Sequence, residues 1–317
     1  MKILVTGSAG FIGFHLTKKL LKEGHEIVGL DNFNDYYDSR LKEAREAQLQ
    51  SHPNYQGLRA DLCDSNLLEK LFSKHCFNAV CHLAAQAGVR YSIENPHAYE
   101  TSNLNGFLNI LEACRYAQTP RLVYASSSSV YGGNKKIPFS ENDPVDHPVS
   151  LYAATKKANE LMAHTYTHLY DIQTIGLRFF TVYGPWGRPD MAYWLFTEAM
   201  LKGESIKVFN HGDMKRDFTY IDDIVRGVES ALFTEGLAPY EIFNLGNNQP
   251  EQLLDMIGYL GNALGIQPKM EMLPMQPGDV PITYADIGQA QLKLAYQPTT
   301  SLKDGLEYFV AWFKEWV

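Results

Sequence analysis

A tyrosine and a lysine lie four residues apart in the segment LYAATKKANEL, where Tyr152 precedes Lys156. Because the segment has a helical pattern, the two side chains share one helix face. An ammonium beside a phenol favours the phenolate, and an oxidised nicotinamide adds a second positive charge. Lowering a phenol pKa from about 10 to about 7 takes roughly 4 kcal/mol, which two cations can supply. The pair predicts a general base, with two exposed helix residues as the alternative.

A run of four serines follows an apolar stretch in RLVYASSSS, and Ser127 is the second of the four. Serine at a strand end most often forms only a turn. Here the hydroxyl of Ser127, the phenol of Tyr152 and the amine of Lys156 can converge on one substrate oxygen. A serine nucleophile is a poorer interpretation, because the chain has no G-x-S-x-G sequence with histidine and acid partners.

Three glycines, Gly7, Gly10 and Gly13, lie where a first strand passes into a first helix in VTGSAGFIGFHL. Glycine permits a tight turn, and the free N–H groups of a helix N-terminus attract a diphosphate. Phe11 and Ile12, between the last two glycines, belong to the same candidate cofactor site. The spacing is G-x-x-G-x-x-G and not G-x-G-x-x-G, so its context between strand and helix carries the prediction.

The second strand ends in LDNFNDYYD, which places Asp31 and Asn32 at its carboxyl end. A carboxylate at this position accepts hydrogen bonds from an adenosine ribose and repels a 2'-phosphate. No arginine follows before Arg40. The predicted cofactor is therefore NAD and not NADP.

Two further groups of residues follow the third and fourth strands, and they complete the predicted cofactor site. They are Asp61 and Leu62, then Leu83, Ala84 and Ala85. Ligands of open α/β sheets bind at the carboxyl ends of the strands. For Asp61 the alternative is a helix N-cap.

The first 180 residues alternate short apolar strands with amphipathic helical segments. Nearly all-apolar strands indicate a parallel sheet covered on both faces, so we predict an α/β, doubly wound, Rossmann-type domain over residues 1–180. After residue 180, loops rich in glycine and proline separate shorter elements. We predict a smaller mixed α/β substrate domain over residues 181–317, with residues 217–240 returning to the sheet.

The formal charge of −8 and the lack of a dense basic stripe argue against nucleic acid or an anionic membrane as partner. His164 and His168 have a metal-ligand spacing but lack a third ligand, so we expect no metal. The four cysteines have no C-x-x-C spacing and are expected to be reduced. The chain begins with a strand pattern, MKILVTG, and has no run of eighteen apolar residues, which favours a cytoplasmic protein.

Over essentially its whole length, the chain resembles the extended short-chain dehydrogenase/reductase family. The resemblance rests on the glycine pattern, Asp31, HLAAQAGVRYS, the serine run and Tyr152 with Lys156. Within that family, several longer segments resemble UDP-glucuronate 4-epimerases. They are LDNFNDYYD, AGVRYSIENP, ASSSSVYG, SLYAATKKANE, RFFTVYGPWGRPDMA and RDFTYIDDI.

The resemblance implies a tightly bound NAD that stores a hydride and returns it. Tyr152 would take the proton of the sugar 4-hydroxyl, and Ser127 would hydrogen-bond the same oxygen. Ser128 and Ser129 would position the sugar, and Lys156 would hold the nicotinamide ribose. Relatives that decarboxylate or dehydrate their substrate have an acid within this motif, whereas here the run is all serine, which favours epimerisation. Members of the family commonly form homodimers through two helices, here residues 96–117 and 151–170.

The resemblance also implies which residues bind the UDP-sugar. Arg188 would hold the uronate carboxylate, with Thr181 as a hydroxyl donor, since a planar guanidinium suits a carboxylate. The remaining candidates each have an alternative as a surface charge or a core aromatic; they are Arg90, Phe209, Arg216 and Asp279.

Two other functions remain open at the level of sequence. One is an epimerase of neutral UDP-hexoses, against which Arg188 argues. The other is an NAD-binding regulator without catalysis, because the same fold also hosts sensors. An intact Tyr152 and Lys156 pair argues against the regulator.

Overall fold

The structure is a computed structural model that describes residues 1–275 and 281–317. Its strands are β1 Lys2–Thr6, β2 Glu26–Asp31, β3 Tyr55–Arg59, β4 Ala79–His82, β5 Arg121–Ser127, β6 Gln173–Phe179, β7 Thr181–Tyr183, β8 Ser205–Val208, β9 Lys215–Tyr220, β10 Tyr240–Leu245, β11 Pro250–Gln252, β12 Lys269–Met272 and β13 Ile282–Thr283.

The α-helices are α1 Phe11–Lys22, α2 Arg40–Gln50, α3 Ser65–Lys74, α4 Tyr91–Glu94, α5 Pro96–Tyr99, α6 Gly106–Tyr116, α7 Leu151–Tyr170, α8 Ala192–Leu201, α9 Ile221–Phe233, α10 Leu253–Leu264, α11 Gly288–Leu294 and α12 Leu302–Trp316. A π-helical segment, Glu100–Asn105, joins α5 to α6. Short 3-10 turns cover Ser128–Tyr131 and Phe209–Gly212.

Seven parallel strands form the large sheet, in the order β10-β6-β5-β4-β1-β2-β3. The chain winds outward from β1 to β3 and then crosses over to β4, which creates the switch point at which such sheets bind ligands. The prediction of a doubly wound α/β fold is confirmed.

The central strands of the large sheet are buried on both faces, and their successive side chains point to opposite sides. On β1, Ile3 and Val5 belong to one hydrophobic core together with residues of α1 and α9. Leu4 belongs to a second core together with residues of α3, α6 and α7. These two cores hold the helices that carry the site residues against the sheet.

The chain after residue 180 forms two smaller sheets. In one, β9 pairs with β7, β11 and β13, and in the other β8 pairs with β12. The expected return of residues 217–240 to the large sheet stays a prediction. Helix α9 packs on α1 and β10 joins β6, but β9 stays in the smaller sheet, because it pairs with β7 where that strand leaves the large sheet. The division at residue 180 stays a prediction.

Three global features bear on function. No helix in the described ranges is long and apolar enough to cross a membrane. Within the same ranges, no three His, Cys, Asp or Glu side chains come together as a metal site would require. All four cysteines are unpaired thiols.

Candidate functional site

One cavity of about 1250 Å³ opens at the carboxyl ends of the large sheet and extends to the smaller sheets. It contacts all the predicted site residues that the structure describes. These are Gly7, Gly10, Phe11, Ile12, Gly13, Asp31, Asn32, Asp61, Leu62, Leu83, Ala84, Ala85, Arg90, Ser127, Ser128, Ser129, Tyr152, Lys156, Thr181, Arg188, Phe209 and Arg216. Asp279 lies outside the described residues.

In the glycine-rich loop, where β1 passes into α1, the glycines leave no room for side chains of their own. Gly7 has φ +71°, and a Cβ there would lie 2.8 Å from the backbone nitrogen of Ala84. A Cβ on Gly13 would lie 2.0 Å from the carbonyl oxygen of Gly7. The loop can therefore fold tightly against the end of β4 only with glycine at these positions.

Helix α1 begins after Gly10, and no side chain of the described residues caps its N-terminus. Its first N–H groups and its positive dipole end thus face the cavity. A diphosphate fits this arrangement. The loop and the helix together match the phosphate half of a dinucleotide site.

The end of the cavity at Asp31 contains a cation that sequence reasoning missed. Asp31 is 6% exposed and accepts a hydrogen bond from the backbone N–H of Phe33 at 2.9 Å. Lys42 of α2 lies 3.6 Å from the Asp31 carboxylate and donates to the Asn34 side chain at 2.9 Å. Its position in the largely polar segment RLKEAREAQLQ gave no signal of this contact, which depends on how α2 packs.

Asp61 is held beside the second strand. Asn32 donates to its carboxylate at 2.9 Å, and the backbone N–H of Cys63 donates at 2.8 Å. Burial opposes ionisation, but these hydrogen bonds keep the pKa of Asp61 below its ordinary value. Its alternative role as an N-cap is not observed, because Asp64 caps α3 by accepting from the Leu67 N–H at 3.0 Å.

Tyr152 and Lys156 lie in the first turns of α7, whose start is fixed by Ser150. The Ser150 hydroxyl caps the helix by accepting from the Ala153 N–H at 3.1 Å. Lys156 is 2% exposed, and its ammonium donates to the Ala125 carbonyl of β5 at 3.0 Å. This contact ties the helix to the strand that ends in Ser127.

The pKa of the Tyr152 phenol reflects its surroundings in the folded chain. Burial raises it above its ordinary value, while the neighbouring Ser127 hydroxyl and the charge of Arg188 act in the opposite direction. The expected lowering of this pKa by Lys156 together with an oxidised nicotinamide stays a prediction, because the raised pKa is that of the protein without NAD. The ammonium is engaged by Ala125, and burial lowers its own pKa from 10.5 to about 8.

The four serines divide into two roles. Ser126 is buried and donates to the Glu160 carboxylate at 2.7 Å. Arg178 binds the same carboxylate through Nε at 2.8 Å and Nη2 at 2.9 Å. These hydrogen bonds and the ion pair hold α7 against β5 and β6. Ser127 and Ser129 lie 3.1 Å apart through their hydroxyl oxygens and face the cavity.

An asparagine in the π-helical segment, Asn103, was missed by sequence reasoning. Its side chain accepts from the Gln86 N–H at 2.8 Å and donates to the Gln86 carbonyl at 3.0 Å. It also donates to the Thr155 hydroxyl of α7 at 3.1 Å. The wide turn thus fixes the loop after β4 relative to Tyr152, and π-helical turns are frequent at functional sites. In the sequence, Asn103 stood only as one polar residue within a predicted helix, so its buried position was not recognised.

Arg188 lies in the loop between β7 and α8, where it pairs with Asp190. Its Nε donates to one carboxylate oxygen at 3.0 Å and its Nη2 to the other at 2.5 Å. Tyr36 donates to the same carboxylate at 3.1 Å. Burial, followed by the charge of Asp190, raises the pKa of Tyr36 to about 12.

The remaining candidates line the far end of the cavity. The guanidinium of Arg90 lies over the ring of Phe209, 5.9 Å from its centroid. Arg216, in β9, donates to the carbonyls of Lys215 at 2.9 Å and Pro281 at 3.2 Å. Thr181 begins β7 and also reaches the cavity wall.

The family comparison agrees with this geometry. The model of the NAD dependent epimerase/dehydratase family matches residues 3–246. The chain belongs to this family. The family is NAD-dependent, so the prediction of NAD as cofactor is confirmed.

Relatives and solved structures show which members of the family this chain resembles. UDP-glucuronate 4-epimerase 4 of Arabidopsis thaliana is 52% identical over 98% of this chain and 75% of its own length. The UDP-glucuronic acid 4-epimerase of Bacillus cereus, solved with UDP-glucuronic acid and NAD, is 38% identical with a TM-score of 0.95, covering 100% of both chains. The UDP-glucose 4-epimerase of Thermotoga maritima, solved with UDP-glucose, is 31% identical with a TM-score of 0.88, covering 99% of both chains. The resemblance to UDP-glucuronate 4-epimerases is confirmed.

Proposed function

We propose that the protein interconverts UDP-glucuronate and UDP-galacturonate with NAD, by transient oxidation at carbon 4 of the sugar. The observation that carries this proposal is the convergence on one cavity of the glycine-rich loop, the Ser127, Tyr152 and Lys156 side chains and the guanidinium of Arg188. The match to the Bacillus cereus enzyme, which was solved with UDP-glucuronic acid and NAD, supports the same substrate and cofactor.

Tyr152 is the general base that takes the proton from the sugar 4-hydroxyl. Its phenol lines the cavity and interacts with the Ser127 hydroxyl, so both groups can meet one substrate oxygen. The Tyr99 and Tyr152 rings pack edge to face, with 6.0 Å between their centroids. This contact helps to fix the position of the phenol. Ser127 holds the oxygen during the reaction, and Tyr152 returns the proton at its end.

NAD, when bound, accepts the hydride from carbon 4 and gives it back. The glycine-rich loop and α1 hold its diphosphate, and Asp31 holds its adenosine ribose. Lys156 reaches the nicotinamide ribose from α7. Because its pKa is lowered to about 8, Lys156 is still mostly protonated at neutral pH and adds positive charge beside Tyr152.

Inversion requires the 4-keto sugar to turn about its diphosphate linkage and present its other face. The cavity of about 1250 Å³ has to hold NAD and the UDP-sugar together, and the rotation takes place in the part of it that Ser128, Ser129 and Thr181 line. Ser128, Ser129 and Thr181 supply hydroxyls that bind the sugar in either orientation.

Arg188 binds the substrate carboxylate. Asp190 takes the Nε and Nη2 edge of its guanidinium, which leaves the edge formed by Nη1 and Nη2 for a second carboxylate. The UDP half is bound by Arg90, Phe209 and Arg216 along the far end of the cavity. Asp279 is proposed for the same role, although it lies outside the described residues.

The protein acts as a homodimer through the helices of residues 96–117 and 151–170. These helices carry large exposed apolar side chains, among them Tyr116, Leu161 and Leu169, which are 75%, 58% and 57% exposed. Such a surface is typical of an interface. We expect light scattering after size-exclusion chromatography to give twice the monomer mass, and Leu161→Glu to yield a monomer. We also propose a cytoplasmic location, which the four unpaired cysteines support.

The deciding experiment incubates the purified protein with UDP-glucuronate, without added NAD, and follows the sugar by proton NMR. UDP-galacturonate is the expected product. A UDP-pentose indicates a decarboxylase, and no change indicates a regulator. Turnover of UDP-glucose in preference to UDP-glucuronate indicates a hexose epimerase.

Tyr152→Phe tests the assigned base. We expect a loss of turnover of at least about 10²-fold while NAD stays bound. Tyr308→Phe is the matched control, because that tyrosine is 56% exposed on α12 and should not affect turnover. Full activity in Tyr152→Phe contradicts the mechanism.

A further inference from the structure

A buried arginine outside the residues discussed above, Arg45 of α2, is 0% exposed. It has no acidic partner within 4.0 Å in the part of the chain that the structure describes. Burying a guanidinium without a counter-charge is costly, and an apolar residue of similar size would stabilise the fold at least as well. Packing alone therefore does not account for an arginine at this position.

The hydrogen bonds of Arg45 join two distant loops. Its Nη1 donates to the carbonyl of Ala9, within the glycine-rich loop, at 2.9 Å. Its Nη2 donates to the carbonyls of Trp186 at 2.5 Å and Gly187 at 2.9 Å, directly before Arg188. One planar guanidinium thus spans the loop that cradles a diphosphate and the loop that carries Arg188.

The loop before Arg188 has a backbone that needs such support. Trp186 has φ +58° and Gly184 has φ +143°. A left-handed conformation in a bulky residue is strained and persists only where the surroundings enforce it. A second contact comes from α1, where His15 Nε2 lies 2.9 Å from the Pro185 carbonyl. Burial lowers the pKa of His15 to about 3, so the ring is neutral and donates this hydrogen bond.

We propose that Arg45 is a positioning residue that locks the Arg188 loop to the glycine-rich loop and thereby couples NAD binding to recognition of the uronate carboxylate. The inference rests on the proposed function. When the diphosphate orders the glycine-rich loop, the shared guanidinium holds Trp186 and Gly187 in the conformation that aims Arg188 into the cavity. Its positive charge also lies directly behind the loop that receives the diphosphate, where it attracts the anion.

The coupling has a specific signature. A residue that acts through Arg188 affects ligands with a carboxylate on the sugar and hardly affects UDP itself. Its effect also disappears once Arg188 is removed, because the two substitutions then act on the same interaction. A residue that merely stabilises the fold weakens both ligands alike, with or without Arg188.

The test uses the full chain with its cofactor in a Tyr152→Phe background, which prevents turnover during titration. Arg45→Met is compared with Arg40→Met, because Arg40 begins the same helix with a side chain that is 82% exposed. Intrinsic tryptophan emission reports binding. The ring of Trp186 lies 5.1 Å from that of Trp312 and 5.3 Å from that of Trp316, between centroids. Trp194 lies 5.5 Å from Trp312, so the emission of all four tryptophans comes from this region.

We expect Arg45→Met to weaken UDP-glucuronate binding by about tenfold or more and UDP binding by less than about threefold, with no change in Arg40→Met. In an Arg188→Ala background, Arg45→Met should add less than about threefold for either ligand. Equal weakening of both ligands, or an undiminished effect without Arg188, overturns the proposal.

The NAD content of the purified variants gives an independent readout. We expect Arg45→Met to retain less NAD than the parent protein, measured after denaturation, and Arg45→Lys to restore part of it, since lysine keeps the charge but not the planar fork. Unchanged NAD content in Arg45→Met overturns the coupling. Should Arg45→Met fail to fold, Arg45→Lys serves for both measurements, with selective weakening of UDP-glucuronate binding again the expected result.

Failure of this inference is distinguishable from failure of the proposed function. If the wild-type protein does not convert UDP-glucuronate, the proposed function is wrong. If it does, and Arg45→Met shows no selectivity between UDP-glucuronate and UDP, only the role of Arg45 is wrong.

Discussion

Arg188 and Asp190 form a two-point ion pair on the wall of the cavity, in a site where only 25% and 30% of the two side chains are exposed. The arginine proposed to receive the substrate carboxylate thus already binds a carboxylate of the protein. A substrate carboxylate on the remaining edge of the guanidinium lies within a few ångströms of Asp190, so the two anions repel each other across one cation. We expect this repulsion to lower the affinity for the uronate and to assist product release.

Substitution Asp190→Asn removes the repulsion while keeping an oxygen that accepts from Arg188. Because the site is partly exposed, the gain is about 1 kcal/mol, and we expect KM for UDP-glucuronate to fall about fivefold. The KM of a neutral UDP-hexose should not change. Tyr36→Phe is the matched control, since it removes a hydrogen bond to Asp190 but leaves its charge. A raised KM in Asp190→Asn would mean that aiming Arg188 outweighs the repulsion.

Arg188→Ala should reduce turnover of UDP-glucuronate and release more decarboxylated product. The 4-keto form of a uronate is a β-keto acid, which loses carbon dioxide once its carboxylate turns perpendicular to the carbonyl and gives up its charge. A guanidinium that fixes the carboxylate and stabilises its charge opposes this loss. Proton NMR of the products measures the ratio of UDP-pentose to UDP-galacturonate. Equal or greater fidelity in the variant contradicts the role of Arg188.

Site residues that lie close together in the sequence could be predicted, because their residue types and spacing already indicate what they can bind or catalyse. The glycines at the end of β1 and the Tyr152 and Lys156 pair on α7 are each defined within one element and its neighbour. The parallel sheet then brings the strand ends together, so residues far apart in sequence reach the same cavity.

Contacts made across elements could not be predicted in this way. Arg45 lies four residues from both Leu41 and Leu49, which are 2% and 1% exposed, so the sequence could predict its place on a buried helix face. The sequence could not predict its hydrogen-bond partners, because Ala9 and Trp186 reach Arg45 only after α2 packs. The raised pKa of Tyr152 in the protein without NAD was missed for the same reason, because it follows from desolvation of the phenol in the folded chain and not from sequence spacing.

Lys156→Met should stabilise the protein while abolishing turnover. Keeping this ammonium charged at neutral pH costs about 3 kcal/mol, given a pKa lowered from 10.5 to about 8. Loss of its hydrogen bond to Ala125 offsets about 1 kcal/mol, so we expect a gain in unfolding free energy of about 2 kcal/mol in urea denaturation of NAD-free protein.

The pH dependence provides the control for this prediction. The cost is fully present below about pH 8 and disappears as the pH rises from about 8 towards 10.5, because the unfolded chain binds the proton more tightly than the folded one. The stability difference between Lys156→Met and wild type should therefore shrink over this range. A difference that is independent of pH would show that packing, and not charge, is its source.

Gly7→Ala should both destabilise the protein and abolish NAD retention. The methyl group would lie 2.8 Å from the Ala84 nitrogen at a backbone φ of +71°, so strain and a backbone clash add, and we expect a loss of at least about 2 kcal/mol. Gly24→Ala is the matched control, because Gly24 has φ +84° but nothing within 4 Å of an added Cβ. It should cost only about 1 kcal/mol and leave NAD bound. Equal stability losses and equal NAD contents in the two variants would mean that the close approach of the glycine-rich loop to β4 does not shape the diphosphate site.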